Sequence, residues 1–85
     1  MKIKRDEEWV AMYEHIKKEA VNAIKKAKRK GKMEAVLVKE VRNYKQVDVL
    51  IEIIRDINLN SVFRADCKRS VKGEKQYAHI LIRNK

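Results

Sequence analysis

The apolar residues change their spacing along this chain, and that change limits the fold more than any other feature. Trp9, Met12, Tyr13, Ile16, Ala20, Ala23, Ile24 and Ala27 recur at steps of three and four, which is one face of an amphipathic helix. Ala35, Val36, Leu37 and Val38 then follow without a break. An uninterrupted, β-branched run of this kind reads as a central strand covered on both faces. Val47, Leu50, Ile51, Ile54 and Ile57 return to helical spacing. From Ser61 the period is two: Phe63, Ala65 and Cys67 alternate with Arg64, Asp66 and Lys68, and further on Ala78, Ile80 and Ile82 alternate with Tyr77, His79, Leu81 and Arg83. Two helices and several strands in one short chain make an α+β fold.

The residues between these blocks set their limits. Asp6 is a good N-cap, with Glu7 and Glu8 in the first turn, where negative charge suits the helix dipole. The first helix ends near Lys30, with Gly31 at the C′ position. Asn43 caps the second helix, and Gln46 three residues later resembles a capping box. Lys72-Gly73-Glu74 is a turn signal that closes the last two strands into a hairpin. Its basic tip has little apolar content and is expected to project into solvent. Met1 to Arg5 sets Ile3 among cations and is the expected first, edge strand. The order is therefore β-α-β-α-β-β. Both helices pack on one face of a four-stranded mixed sheet with a protruding basic β-hairpin. With 85 residues and no linker or repeat, residues 1–85 form a single domain. Val49 and Ile53 widen the apolar surface of the second helix beyond one stripe, so that helix is central or faces a second subunit. On the second reading Ile53 is the expected dimer contact.

Charge points to the partner. There are 22 Lys and Arg against 12 Asp and Glu, a net charge of +10. From Lys25 to Lys32 there are six cations and no anion, and from Lys68 to Lys75 four cations and one anion. These two runs hold nine of the ten net charges, so the charge is placed rather than spread. A polyphosphate backbone is the partner that fits it best. No stretch is apolar enough to span a bilayer. The first residues turn acidic where a secretion signal needs an apolar core, and one cysteine forms no internal disulfide. A cytoplasmic location is expected, nucleoid-associated if the ligand is DNA. With no nucleophile motif, P-loop, CxxC or HxxxH, no enzyme activity, cofactor, metal or small-molecule substrate is expected.

VLVKEVRNYKQVDVLIEIIRD (residues 36–56) and AHILIRNK (residues 78–85) resemble segments of the Alba superfamily, small basic DNA- and RNA-binding proteins. Alba proteins share their topology with the C-terminal domain of translation initiation factor three. The first segment is similar to the family's second strand, its Arg-bearing loop and its second helix. The second is similar to the closing strand with its basic tail, and a basic hairpin between the last two strands also matches. The resemblance implies a homodimer built on the second helix and the last strands, with hairpin arms reaching along double-stranded DNA or RNA. Where the family places basic residues after its first strand, this chain has Lys4 and Arg5. Asp6, Glu7 and Glu8 replace the glycine and proline typical of that junction.

The candidate contacts are Lys4, Arg5, Arg42, Lys45, Lys68, Arg69, Lys72 and Lys75. Each also has a plainer reading. The hairpin lysines would keep an edge strand from pairing with another chain. The Lys25–Lys32 run would be a solvated helix end that suits the dipole. Trp9, Tyr13 and Phe63 lie on core stripes and are expected to pack inside, as is Cys67, whereas Tyr77 beside the basic arm is the better base-stacking candidate. The expected function is non-enzymatic, largely sequence-independent nucleic-acid binding. If about six phosphates are neutralised, log K falls with log salt at a slope near −5. Two alternatives stay open. One is a small interaction protein, a phage-type inhibitor or ribosome-associated factor. The other is a small basic ribonuclease using His79 with Arg64, Arg83 or Tyr77.

Overall fold

Asp6 and Asn43 start the helices in the way their side chains allow. The computed structural model describes residues 3–85. In it the Asp6 carboxylate accepts a hydrogen bond from the Trp9 backbone N–H at 3.1 Å, and α1 runs Glu7–Arg29. Gly31 ends this helix with φ 68°. Its N–H donates to the Lys28 carbonyl at 3.1 Å, and the Lys32 N–H donates to the Ala27 carbonyl at 2.9 Å. These are the paired bonds of a Schellman cap, which needs the left-handed residue that glycine supplies. The second helix, α2 (Tyr44–Asn60), begins on Asn43, whose side chain accepts from the Gln46 N–H at 2.8 Å. The expected capping box is completed differently. Gln46 Oε1 accepts from the Arg42 N–H at 2.8 Å, one residue before the cap, while Nε2 donates to the Glu40 carbonyl at 2.7 Å. The buried Gln46 amide thus ties α2 to the preceding strand.

Three strands follow this framework: β1 (Glu34–Val41), β2 (Phe63–Lys72) and β3 (Lys75–Asn84). Their order is β1-β3-β2, and both neighbouring pairs are antiparallel. The outer strands β1 and β2 therefore run parallel to each other, joined by α2, with β3 between them. Both helices lie on one face, α1 against β1 and α2 against β2. The core lies between these layers. It takes Ile16 and Ala20 from α1, Val49, Leu50, Ile53 and Ile57 from α2, and Ala35, Ala65, Ala78, Ile80 and Ile82 from the sheet. Burial of each of the isoleucines stabilises the fold by about 1.5–3 kcal/mol. No described helix is long and apolar enough to cross a membrane.

The fold corrects four expectations. The sheet has three strands among the described residues, not four, and it is antiparallel, not mixed. Met1 and Lys2 of the expected first strand lie outside the described residues, and Ile3 to Arg5 join no strand. A segment with one apolar residue among cations offers a sheet little to bury. Its Arg5 instead lies over the Trp9 ring at 4.6 Å and bonds Asp48 and Glu52 on α2, each at 3.3 Å. Second, β1 is an edge strand and β3 the central one. Because both helices pack on the same face, Val36 and Val38 are about half exposed on the other (51% and 47%). Third, Ile53 is 1% exposed and faces the core, so it is no dimer contact. Its helix widens because α2 meets both sheet and α1. Fourth, the basic tip is no separate arm. β1 flanks β3 as far as the Val41–Gln76 pair, and only Lys72 and Lys75 pair beyond it. Gly73 has φ 64° and Glu74 does not have positive φ, the pattern of a two-residue type II′ turn.

Candidate nucleic-acid interface

The eight candidate cations fall into distinct environments. Two are held by carboxylates. Arg5 is bound to Asp48 and Glu52 as described. Lys45 Nζ lies 3.0 Å from Asp6 and 3.4 Å from Glu8. The hydrogen bond from Lys45 holds the Asp6 carboxyl below the usual carboxylate range, and the same bond raises the Lys45 amine. Lys17 and Asp56, 2.8 Å apart, shift each other in the same two directions. Lys39 joins Glu19 at 2.9 Å. The helical layer therefore carries a belt of ion pairs that links α1, α2 and β1, and Lys45 is part of that belt.

Lys68, Lys72 and Lys75 behave otherwise. Alternation along β2 and β3 puts Ala65, Ala78, Ile80 and Ile82 toward the helices. Arg64, Asp66, Lys68, Ser70 and Lys72, with Lys75, Tyr77, His79 and Leu81, therefore belong to the opposite, open face. Cross-strand pairing sets out its rows: Val38, His79 and Lys68; then Glu40, Tyr77 and Ser70; then Lys75 and Lys72. Arg42 continues this face past the end of β1, with one long contact of 3.5 Å to Glu40. Lys68, Arg69, Lys72 and Lys75 are exposed and reach no carboxylate among the described residues. Arg69 has the other parity and emerges on the helix side. It lines a concavity of about 710 Å³ with Arg42, Tyr44 and Lys75 at the start of α2. Lys4 is exposed beside the ion-paired belt. The structure thus gathers Arg42 with the cations of the β2–β3 end, although 26 positions separate it from Lys68.

The opposite end of the sheet is different again. There Asp66 reaches Arg83 at 3.5 Å and Arg64 at 4.0 Å, which neutralises part of the charge. The Lys25–Lys32 run sits at this end, where Lys28 and Lys32 border a small hollow with Phe63 and Arg83. Lys28 Nζ is 5.2 Å from the Phe63 ring centre. The two basic runs of the sequence therefore do not merge into one surface.

The aromatic residues divide as their spacing implies. Trp9 is buried, stacks on Tyr13 at 5.3 Å, and donates its indole N–H to Asp48 at 2.9 Å. Tyr77 and His79 stand on the open face of the central strand, where His79 Nε2 is 2.8 Å from Ser70 Oγ. Cys67, expected inside, is exposed. It lies on the helix side, but α2 leaves an open groove there between Ile51, Ile54 and Arg69. Alternation about Ala78, Ile80 and Ile82 was the signal for the open face, yet which face stays open depends on where the helices lie. Among the described residues, no three His, Cys, Asp or Glu side chains cluster as a metal site would require. No protein-family model, curated protein or solved structure matches this chain.

Proposed function

We propose that this protein binds nucleic acid through phosphate contacts made by the basic end of its open sheet face. One observation carries this reading. Among the described residues, Lys68, Lys72 and Lys75 stand exposed on one face with no carboxylate in reach, while Arg5, Lys17, Lys39 and Lys45 around the helices are each paired with an acid. Unpaired like charges at close quarters repel each other, which costs stability. A polyanion removes that cost and gains entropy as its counterions are released. Lysines make point-charge contacts and offer few bidentate contacts to base edges, so sequence choice is weak. Arg42 and Arg69 extend the cationic surface around the end of the sheet.

The resemblance to the Alba superfamily belongs to the same proposal, and so does the homodimer that it implies. Tyr44, Ile51 and Leu59, at 75%, 57% and 68% exposed, are the large exposed apolar residues of α2 that a second copy would cover. The reading is non-enzymatic, and DNA and RNA are both admitted. The test is a salt titration of binding to fluorescent duplex DNA, duplex RNA and single strands, with sedimentation on the same sample. Submicromolar binding with a slope near −5 in log salt is the expected result. No binding to any of these at 50 mM salt would overturn the reading and leave the charge to an acidic protein partner.

A further inference from the structure

We propose that the open sheet face takes a single-stranded polynucleotide, with successive bases laid on Tyr77 and His79 of β3. This rests on the nucleic-acid reading above and narrows it to unpaired strands. Tyr77 and His79 are adjacent open-face positions of the central strand, with no helix over them. Their neighbours differ on the two sides. Toward β1 lie Val38 and Glu40, and toward β2 lie Lys68 and Ser70. Val38 continues an apolar floor beside the rings, and the Ser70 hydroxyl holds the His79 imidazole by its edge at 2.8 Å. Lys68, with Lys72 one pair beyond Ser70, forms a cationic rim along β2, where Asp66 is already engaged by Arg64 and Arg83, while β1 sets Glu40 beside Tyr77. A strand crossing this face therefore has its phosphates on the β2 side, away from Glu40, and its bases over the rings.

Spacing selects the unpaired strand. Positions two apart on a β-strand are about 6.8 Å apart. Bases in a duplex strand are about 3.4 Å apart and already stacked on one another. Two bases can lie on Tyr77 and His79 only if they part from each other, as bases of a single strand do on aromatic platforms. A duplex reaches the lysines and leaves both rings unused.

The experiment compares a fluorescent twelve-nucleotide oligothymidylate with a twelve-base-pair duplex by anisotropy at several salt concentrations. Tyr77→Ala is expected to weaken oligothymidylate binding by about 5- to 150-fold. Its salt slope should stay unchanged, and duplex binding should move less than about twofold. Tyr77→Phe keeps the ring and should bind as the parent does. His79→Ala is the second variant, and the same selective loss is expected from it. Circular dichroism checks the fold of each. If neither ring variant weakens oligothymidylate while Lys72→Ala with Lys75→Ala does, stacking is overturned and phosphate binding stands. Equal losses on strand and duplex also overturn it. If neither ligand binds the parent protein, both readings fail together.

Discussion

The ion-paired belt around the helices and the β2–β3 end of the sheet are both rich in charge, and they use it in opposite ways. In the helical layer each cation that joins the belt has a carboxylate within 3.4 Å: Arg5 with Asp48 and Glu52, Lys17 with Asp56, Lys39 with Glu19, and Lys45 with Asp6 and Glu8. Among the described residues, Lys68, Arg69, Lys72 and Lys75 at the sheet end have none, and Glu74 in the turn bonds to none of them. Paired surface charge adds a little to stability. Unpaired charge of one sign adds nothing to it, and the sheet end covers no core. The difference teaches that the protein's net charge resides where the fold does not need it. Mutations should therefore separate the two regions, with stability answering in one and binding in the other.

The strongest attempt to break that division removes the sheet-end cations together. Lys68, Arg69, Lys72 and Lys75 changed to Ala should lower affinity for nucleic acid by about a hundredfold or more at 50 mM salt. The salt slope should flatten by about 3 to 4, while the thermal midpoint stays within a few degrees. An unchanged slope, measured by anisotropy, would remove this end from the interface. In the core of the helical layer, Ile53→Ala should cost about 3 kcal/mol in urea unfolding, without changing the sedimentation of the folded protein. If the variant shifted from dimer to monomer at full stability, Ile53 would be an interface residue after all. Asn43→Ala removes the cap of α2 and should cost about 1 kcal/mol, or about 4–8 °C in midpoint for a domain of this size. Binding per folded molecule should not change.

The smallest effect expected is from pH. Asp6 and Asp56 have lowered carboxyl pKa values, chiefly through hydrogen bonds from Lys45 and Lys17. Their contribution is fully present above the unfolded carboxylate value near 4 and is lost as pH falls through the lower folded value. A thermal scan should show the midpoint beginning to fall below about pH 4. Asp6→Asn with Asp56→Asn should make that fall shallower. Lys17 and Lys45 are raised, so their share is present below about pH 10.5 and lost above it. Because these groups are partly exposed, solvent screening keeps both effects small.

Local chemistry was legible in the residues themselves. The spacing of Trp9 to Ala27 and of Val47 to Ile57 specified two helices. Asp6, Gly31, Asn43 and Gly73 specified where elements start, stop and turn, because caps and turns are made by residues a few positions apart. The alternation around Ala78, Ile80 and Ile82 already separated Tyr77 and His79 from the core. Other features depended on contacts that no local pattern encodes. The run Ala35 to Val38 reads alike for a central strand and for an edge strand with one face bare. Only the packing of both helices on the same side made it an edge and left Val36 and Val38 open. Lys45 looked as free as Lys68 because Asp6 lies 39 positions away, and Arg5 because its acids lie 43 and 47 positions away. Sequence determined how much positive charge the protein carries and which runs hold it. Tertiary structure decided which of those charges are cancelled, because cancellation acts across space, and chain folding alone brings distant residues within reach.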